Sequence, residues 1–147
     1  MLQAGGRLPQ AVRSLERACE LDPELLDAHV DLGTAYHGSG RYDLAVEAYQ
    51  RALALDPERP LVYSNLGMAH AMAGRFEAAA VAFRQGLERA PDSIDLHEAL
   101  GQVYARQGRL REAVAEWETV LRLDPGHQRA SAALREVRRA APGGQTQ

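Results

Sequence analysis

Apolar and small residues return along this chain at helical intervals. In LVYSNLGMAHAMAG, residues Leu61, Leu66, Ala69, Met72 and Ala73 fall near one helical face. In FEAAAVAFRQGLERA, residues Phe76, Ala79, Ala80, Phe83 and Leu87 do the same. The spacing predicts helices over 25–38, 60–73 and 94–107, each followed by a partner over 42–55, 76–89 and 110–123. Each leading helix is termed A and each following helix B. Further helical segments are expected over 9–21, opened by Pro9, and over about 127–140. No apolar run approaches the roughly 18 residues that a membrane-spanning helix needs.

The breaks between these segments are periodic. Pro23, Pro57, Pro91 and Pro125 stand 34 residues apart. Gly33, Gly67 and Gly101 keep the same interval inside helix A, and Leu32, Leu66 and Leu100 precede them. Gly40, Gly74 and Gly108 end helix A, each followed by Arg41, Arg75 or Arg109. Glycine suits the left-handed residue that closes a helix, and proline restricts the residue before it and so helps to end helix B. A glycine inside a helix costs about 1 kcal/mol relative to alanine. Three of them in register demand a packing reason. Close approach of helix A to its own helix B supplies one, with the large residues Tyr49, Phe83 and Trp117 and the small residues Ala52, Gly86 and Val120 on helix B.

Together these marks read small-L-G-x-x-[YH], then G-R-[YFL]-x-x-A, then [YFW]-x-x-[AGV]-L, then P. The pattern resembles the tetratricopeptide repeat family over about residues 6–138. The resemblance implies an all-α fold, a right-handed solenoid of antiparallel helix pairs. The chain then divides into a half repeat at 6–25, repeats at 26–59, 60–93 and 94–127, a capping helix at 128–141 and a disordered tail at 142–147. Gly6, Arg7, Leu8, Ala11, Leu15 and Ala18 match the end of a helix A and a helix B. The unpartnered helix at 9–21 points to self-association or to a start beyond this sequence. His70 stands where Tyr36 and Tyr104 stand, and His29 and His97 where Tyr63 stands. These histidines are expected to fill aromatic sites imperfectly.

The resemblance further implies a concave groove lined by helix A that holds a peptide or protein segment. The residues that fall on that face are Asp27, Val30, Asp31, Thr34 and His37, then Leu61, Asn65, Met68 and Met72, then Asp95, Glu98 and Gln102. Their centre is apolar and deformable, and methionine-rich surfaces adapt to several partners. Their edge is acidic, through Asp27, Asp31, Asp95 and Glu98, which favours a basic partner. Asn65 resembles the groove asparagine that bonds a bound backbone in relatives. The lysine, asparagine and arginine set that clamps chaperone C-terminal carboxylates is missing, because the matching places hold Val30, Thr34, Asn65, Asp95 and Ala99.

Composition removes other classes. Hydrophobic residues are 46% and charged residues 25%, a globular balance. The net charge of −3 argues against a nucleic-acid partner. All 17 cations are arginine. The single cysteine, Cys19, forms no internal disulfide, aligns with Leu53, Leu87 and Leu121, and reads as a core thiol in a reducing, cytoplasmic setting. The MLQAGGRLPQ start lacks a basic segment followed by an apolar core. No phosphate loop, HExxH motif or paired cysteines occur. His29 and His37 share a helical face that His70 could approach, but they read as aromatic fillers rather than metal ligands. Asp22, Asp56 and Asp124 precede prolines and read as turn formers. The expectation is therefore a non-catalytic scaffold without metal or cofactor that binds a protein or peptide. Its rivals are a self-assembling module and a substrate-recruiting part of a larger enzyme or secretion complex.

Overall fold

The computed structural model describes the backbone of residues 4–141 and the side chains of residues 7–141. The tail at 142–147 lies outside the described residues. Among the described residues eight helices follow one another: α1 (Ala4–Leu21), α2 (Leu26–Gly38), α3 (Tyr42–Leu55), α4 (Pro60–Met72), α5 (Phe76–Arg89), α6 (Ile94–Arg106), α7 (Leu110–Leu123) and α8 (Gln128–Ala140). Pairs α2/α3, α4/α5 and α6/α7 are the three A/B units. Each helix packs chiefly on its sequence neighbours, and α2 also reaches α4, as α4 reaches α6. The B helices make no comparable contact with one another. The stack is therefore tighter on the A side, and α2, α4 and α6 form its inner surface.

The glycines inside helix A act as docking flats. A Cβ placed on Gly33 would lie 2.6 Å from the Tyr49 ring, and one on Gly101 would lie 2.5 Å from the Trp117 indole. Gly67 receives Phe83 in the same way. Tyr49 and Phe83 are thereby fully buried. The glycines after helix A do a different job. Gly40, Gly74 and Gly108 have φ of 76°, 78° and 75°. This turn lets Arg41, Arg75 and Arg109 return their N–H groups to the carbonyls of Tyr36, His70 and Tyr104, each at 2.9 Å, satisfying carbonyls that a helix end otherwise leaves open.

The aspartates before proline form the expected turns. Asp22 and Asp56 Oδ1 accept from the N–H groups of Glu24 and Glu58 at 3.1 and 3.0 Å, and Asp124 Oδ1 accepts from Gly126 at 3.1 Å. The arginines of the Gly–Arg turns tie consecutive units. Arg75 Nη1 donates to Asp43 at 2.6 Å, and Arg109 reaches Glu77 at 3.7 Å while its guanidinium lies 4.4 Å from the Tyr104 ring centre.

The front end differs from the expected helix at 9–21. Helix α1 begins at Ala4, so Pro9 lies inside it, and Gly6 is helical instead of closing a turn. Pro9 is the sixth residue of α1, past the first turn, and it withdraws the donor that the Gly5 carbonyl would otherwise accept. Cys19 packs against the core of the first pair, and burial pushes its thiol pKa up, although Arg51 opposes the shift.

The histidines also depart from expectation. Tyr63 donates its hydroxyl to the Pro57 carbonyl at 3.0 Å. His29 and His97 place Nε2 at 2.8 and 2.7 Å from the carbonyls of Pro23 and Pro91. A carbonyl only accepts, so both rings carry a proton on Nε2. They keep the tyrosine's bond to the turn, although the buried Nδ1 of His29 has no partner among the described residues. His70 does depart from its neighbours. Tyr36 and Tyr104 reach back to Glu16 and Arg84 on the preceding B helix, whereas His70 Nδ1 accepts from Arg75 Nε at 3.1 Å. Burial, with Arg75 adding to it, lowers the His70 pKa.

Candidate functional site

The inner surface is built by three A helices whose other side is committed to B helices. On α2, Asp27 and Asp31 are exposed and Val30 is half-buried. Thr34 turns its hydroxyl back to the Val30 carbonyl at 3.0 Å and meets the Tyr49 hydroxyl at 3.2 Å. His37 packs edge-on against Tyr42, 5.4 Å between ring centres. The two residues are therefore tied to their own pair as well as placed on the surface. Asp27 is also engaged, accepting from Arg59 Nη1 at 3.3 Å.

The centre is α4. Leu61, Met68 and Met72 are 69%, 42% and 55% exposed, large for apolar residues on a helix whose opposite side is buried. Asn65 is half-buried among them. The three stand at i, i+7 and i+11 on one face of α4, and apolar side chains gathered on one exposed face are the kind that mark a contact surface.

On α6 the expected acidic edge is only half present. Asp95 and Gln102 are exposed, but Glu98 is 7% exposed. Its carboxylate accepts from Gln102 Nε2 at 3.3 Å and lies 3.5 Å from both His127 Nε2 and Arg129 Nη1. His127 caps α8, its Nδ1 accepting from the Ala130 N–H at 3.3 Å. Its proton is thus on Nε2 and points at Glu98. Glu98 fastens α8 to α6 and is not a free edge charge. The sequence placed it on the right face but could not show that α8 covers it. Beyond it, a cleft of about 470 Å³ opens between α6, α7 and α8, lined in part by Gln102, Arg106 and Glu136. Among the described residues no group of three or more His, Cys, Asp or Glu side chains is placed to hold a metal ion.

The repeat geometry agrees with comparison to known families. A model described as TPR repeat matches residues 1–40 and 35–74, and one described as tetratricopeptide repeat matches residues 70–137. The chain belongs to the tetratricopeptide repeat family. No curated protein sequence matches it. Among solved structures, a crystal structure of MamA superposes with a TM-score of 0.87 at 24% identity, covering 93% of this chain and 80% of that one. A structure from the functional characterisation of Pseudomonas aeruginosa PilF gives 0.80 at 26% identity, covering 92% of this chain and 62% of that one. The second tetratricopeptide domain of human RPAP3, solved in complex with the HSP70 peptide SGPTIEEVD, gives 0.71 at 28% identity, covering 75% and 92%.

Proposed function

We propose that this tetratricopeptide repeat chain is a non-catalytic scaffold that holds a protein segment along its inner surface. The observation that carries the reading is the uncovered apolar stripe of Leu61, Met68 and Met72 on α4. The RPAP3 domain, solved with a bound peptide, supports it by likeness of fold. Asp31 and Asp95 flank the stripe and favour a segment with apolar and basic residues. Asp27 contributes less, because Arg59 already occupies it.

Replacing Leu61→Glu and Met68→Glu together tests this. Both side chains point to solvent, so circular dichroism should be unchanged. The segment captured from source cells by the unaltered protein should be lost. Equal capture by the double variant overturns the groove assignment. A second reading, docking of another copy on α1, is favoured by Leu21, which is 70% exposed at the end of that helix. Sedimentation across concentration separates the two, because a monomer at high micromolar protein excludes the second.

A further inference from the structure

The cleft between α6, α7 and α8 has a cause that the repeat register exposes. Each B helix opens on a residue in one register: Tyr42, Phe76 and Leu110. In the first pair that residue is a ring covered by His37 of its own helix A, at 5.4 Å. In the second it is a ring covered by Arg106 of the next helix A, with the guanidinium 5.3 Å from the ring centre. In the third, every contributor is cut short. Leu110 replaces the ring, Ala105 stands in the His37 register, and Ala140 stands in the Arg106 register. What two repeats fill with a ring and its cover, the third leaves open as about 470 Å³, a volume typical of sites that take a small organic group.

We propose that this cleft is an anchor pocket for an aromatic side chain with an adjacent basic residue, carried by the protein segment held on the inner surface. The proposal rests on the groove reading above and adds the residue type at one end of the bound segment. Trp117, 5% exposed, lines the cleft and opens a small part of its indole to it, enough for contact with an inserted ring. Ala133 and Val137 of α8 complete an apolar wall. At the rim, Arg106 is already engaged with Phe76, whereas Glu136 is exposed and pairs with no cation among the described residues. A partner's arginine or lysine beside the inserted ring therefore meets a free carboxylate. The pocket continues the face that carries Asp95 and Gln102, so one segment can span stripe and pocket.

Trp117 is the only tryptophan in the chain and reports occupancy by its fluorescence. The probe is a capped tripeptide of phenylalanine between two arginines, with glycine in place of phenylalanine as control. The expected result is a saturable change in emission with the first peptide and none with the control. Leu110→Phe combined with Ala140→Met restores residues that the other repeats already hold in those registers, and should weaken the probe roughly ten- to hundredfold. Glu136→Arg leaves the apolar pocket intact and should reverse the preference toward the same peptide flanked by glutamates. An equal response to the glycine control, or no change of affinity in either variant, overturns the pocket. A flat titration, with Leu61→Glu and Met68→Glu still abolishing capture, removes the pocket alone and leaves the groove reading standing.

Discussion

The first and third helix pairs share a backbone plan and differ in what their polar groups do with it. In the first, His29 bonds the Pro23 carbonyl through Nε2, and its buried Nδ1 has no partner among the described residues. In the third, His97 makes the same bond and also sets Nδ1 at 2.6 Å from Glu116. Both nitrogens of His97 then meet oxygens, the Pro91 carbonyl and the Glu116 carboxylate. The register of Glu116 is occupied by Ala48 in the first pair, so one side chain decides whether the second nitrogen is used. The tyrosine one register along inverts too. Tyr36 donates to Glu16 Oε1 at 2.5 Å, while Tyr104 accepts from Arg84 Nη1 at 3.1 Å. Glycine flats and turns are common to the pairs and make the fold, whereas the polar positions are tuned unit by unit.

The strongest way to break the common plan is at the flats. Gly67→Leu drives a side chain into the Phe83 ring and should cost roughly 1–3 kcal/mol or more, read as a loss of thermal stability with no compensating gain elsewhere. Next is the end that the third pair alone possesses. Glu98→Ala strips the acceptor from His127 and Gln102 in a nearly closed site and should cost about 1–3 kcal/mol. Hydrogen exchange should rise first in α8, and uniform exchange across all helices would contradict that role. Glu116→Ala makes His97 resemble His29 and should cost about 1 kcal/mol, whereas no change in the melting curve would mean that the pair is spent against desolvation.

The smallest effect at neutral pH comes from Tyr36. Burial, then its bond to Glu16, pushes its pKa up from 10.0 to about 12. The neutral hydroxyl is the form the fold favours, so this contribution is complete below pH 10 and is lost as pH rises toward 12. Tyr36→Phe should flatten that alkaline decline in stability, and an identical decline would assign it to other groups.

The repeat was legible because its marks are local. Gly33, Gly67 and Gly101, with the prolines and the Gly–Arg turns, each act within one helix pair, and their 34-residue spacing survives in the chain. The histidine bonds were half legible, since His29, Tyr63 and His97 each stand six residues beyond the proline they contact. What stayed hidden depends on contacts between units. The burial of Glu98 requires His127 and Arg129 from α8. The start of α1 at Ala4 defied the reading of Pro9 as a helix opener. The groove positions were placed on one face by helical period alone, but the degree to which Leu61, Met68 and Met72 stay uncovered needed three dimensions. The cleft leaves a trace in the sequence, where Leu110 replaces the rings of Tyr42 and Phe76 and Ala140 the longer side chains of Met72 and Arg106.

The arginine ties between units have a consequence for the chain as an object to be lengthened or shortened. Arg75 reaches back 32 residues to Asp43, and Arg109 reaches back 32 residues to Glu77. Cutting out residues 60–93 would bring Arg109 into the place of Arg75, facing Asp43, with a ring and a glycine flat still matched in every pair. The molecule therefore carries a partial splice rule: removing a whole unit keeps the arginine–carboxylate tie and the glycine flats, but sets Tyr104 against Gln50 in place of Arg84.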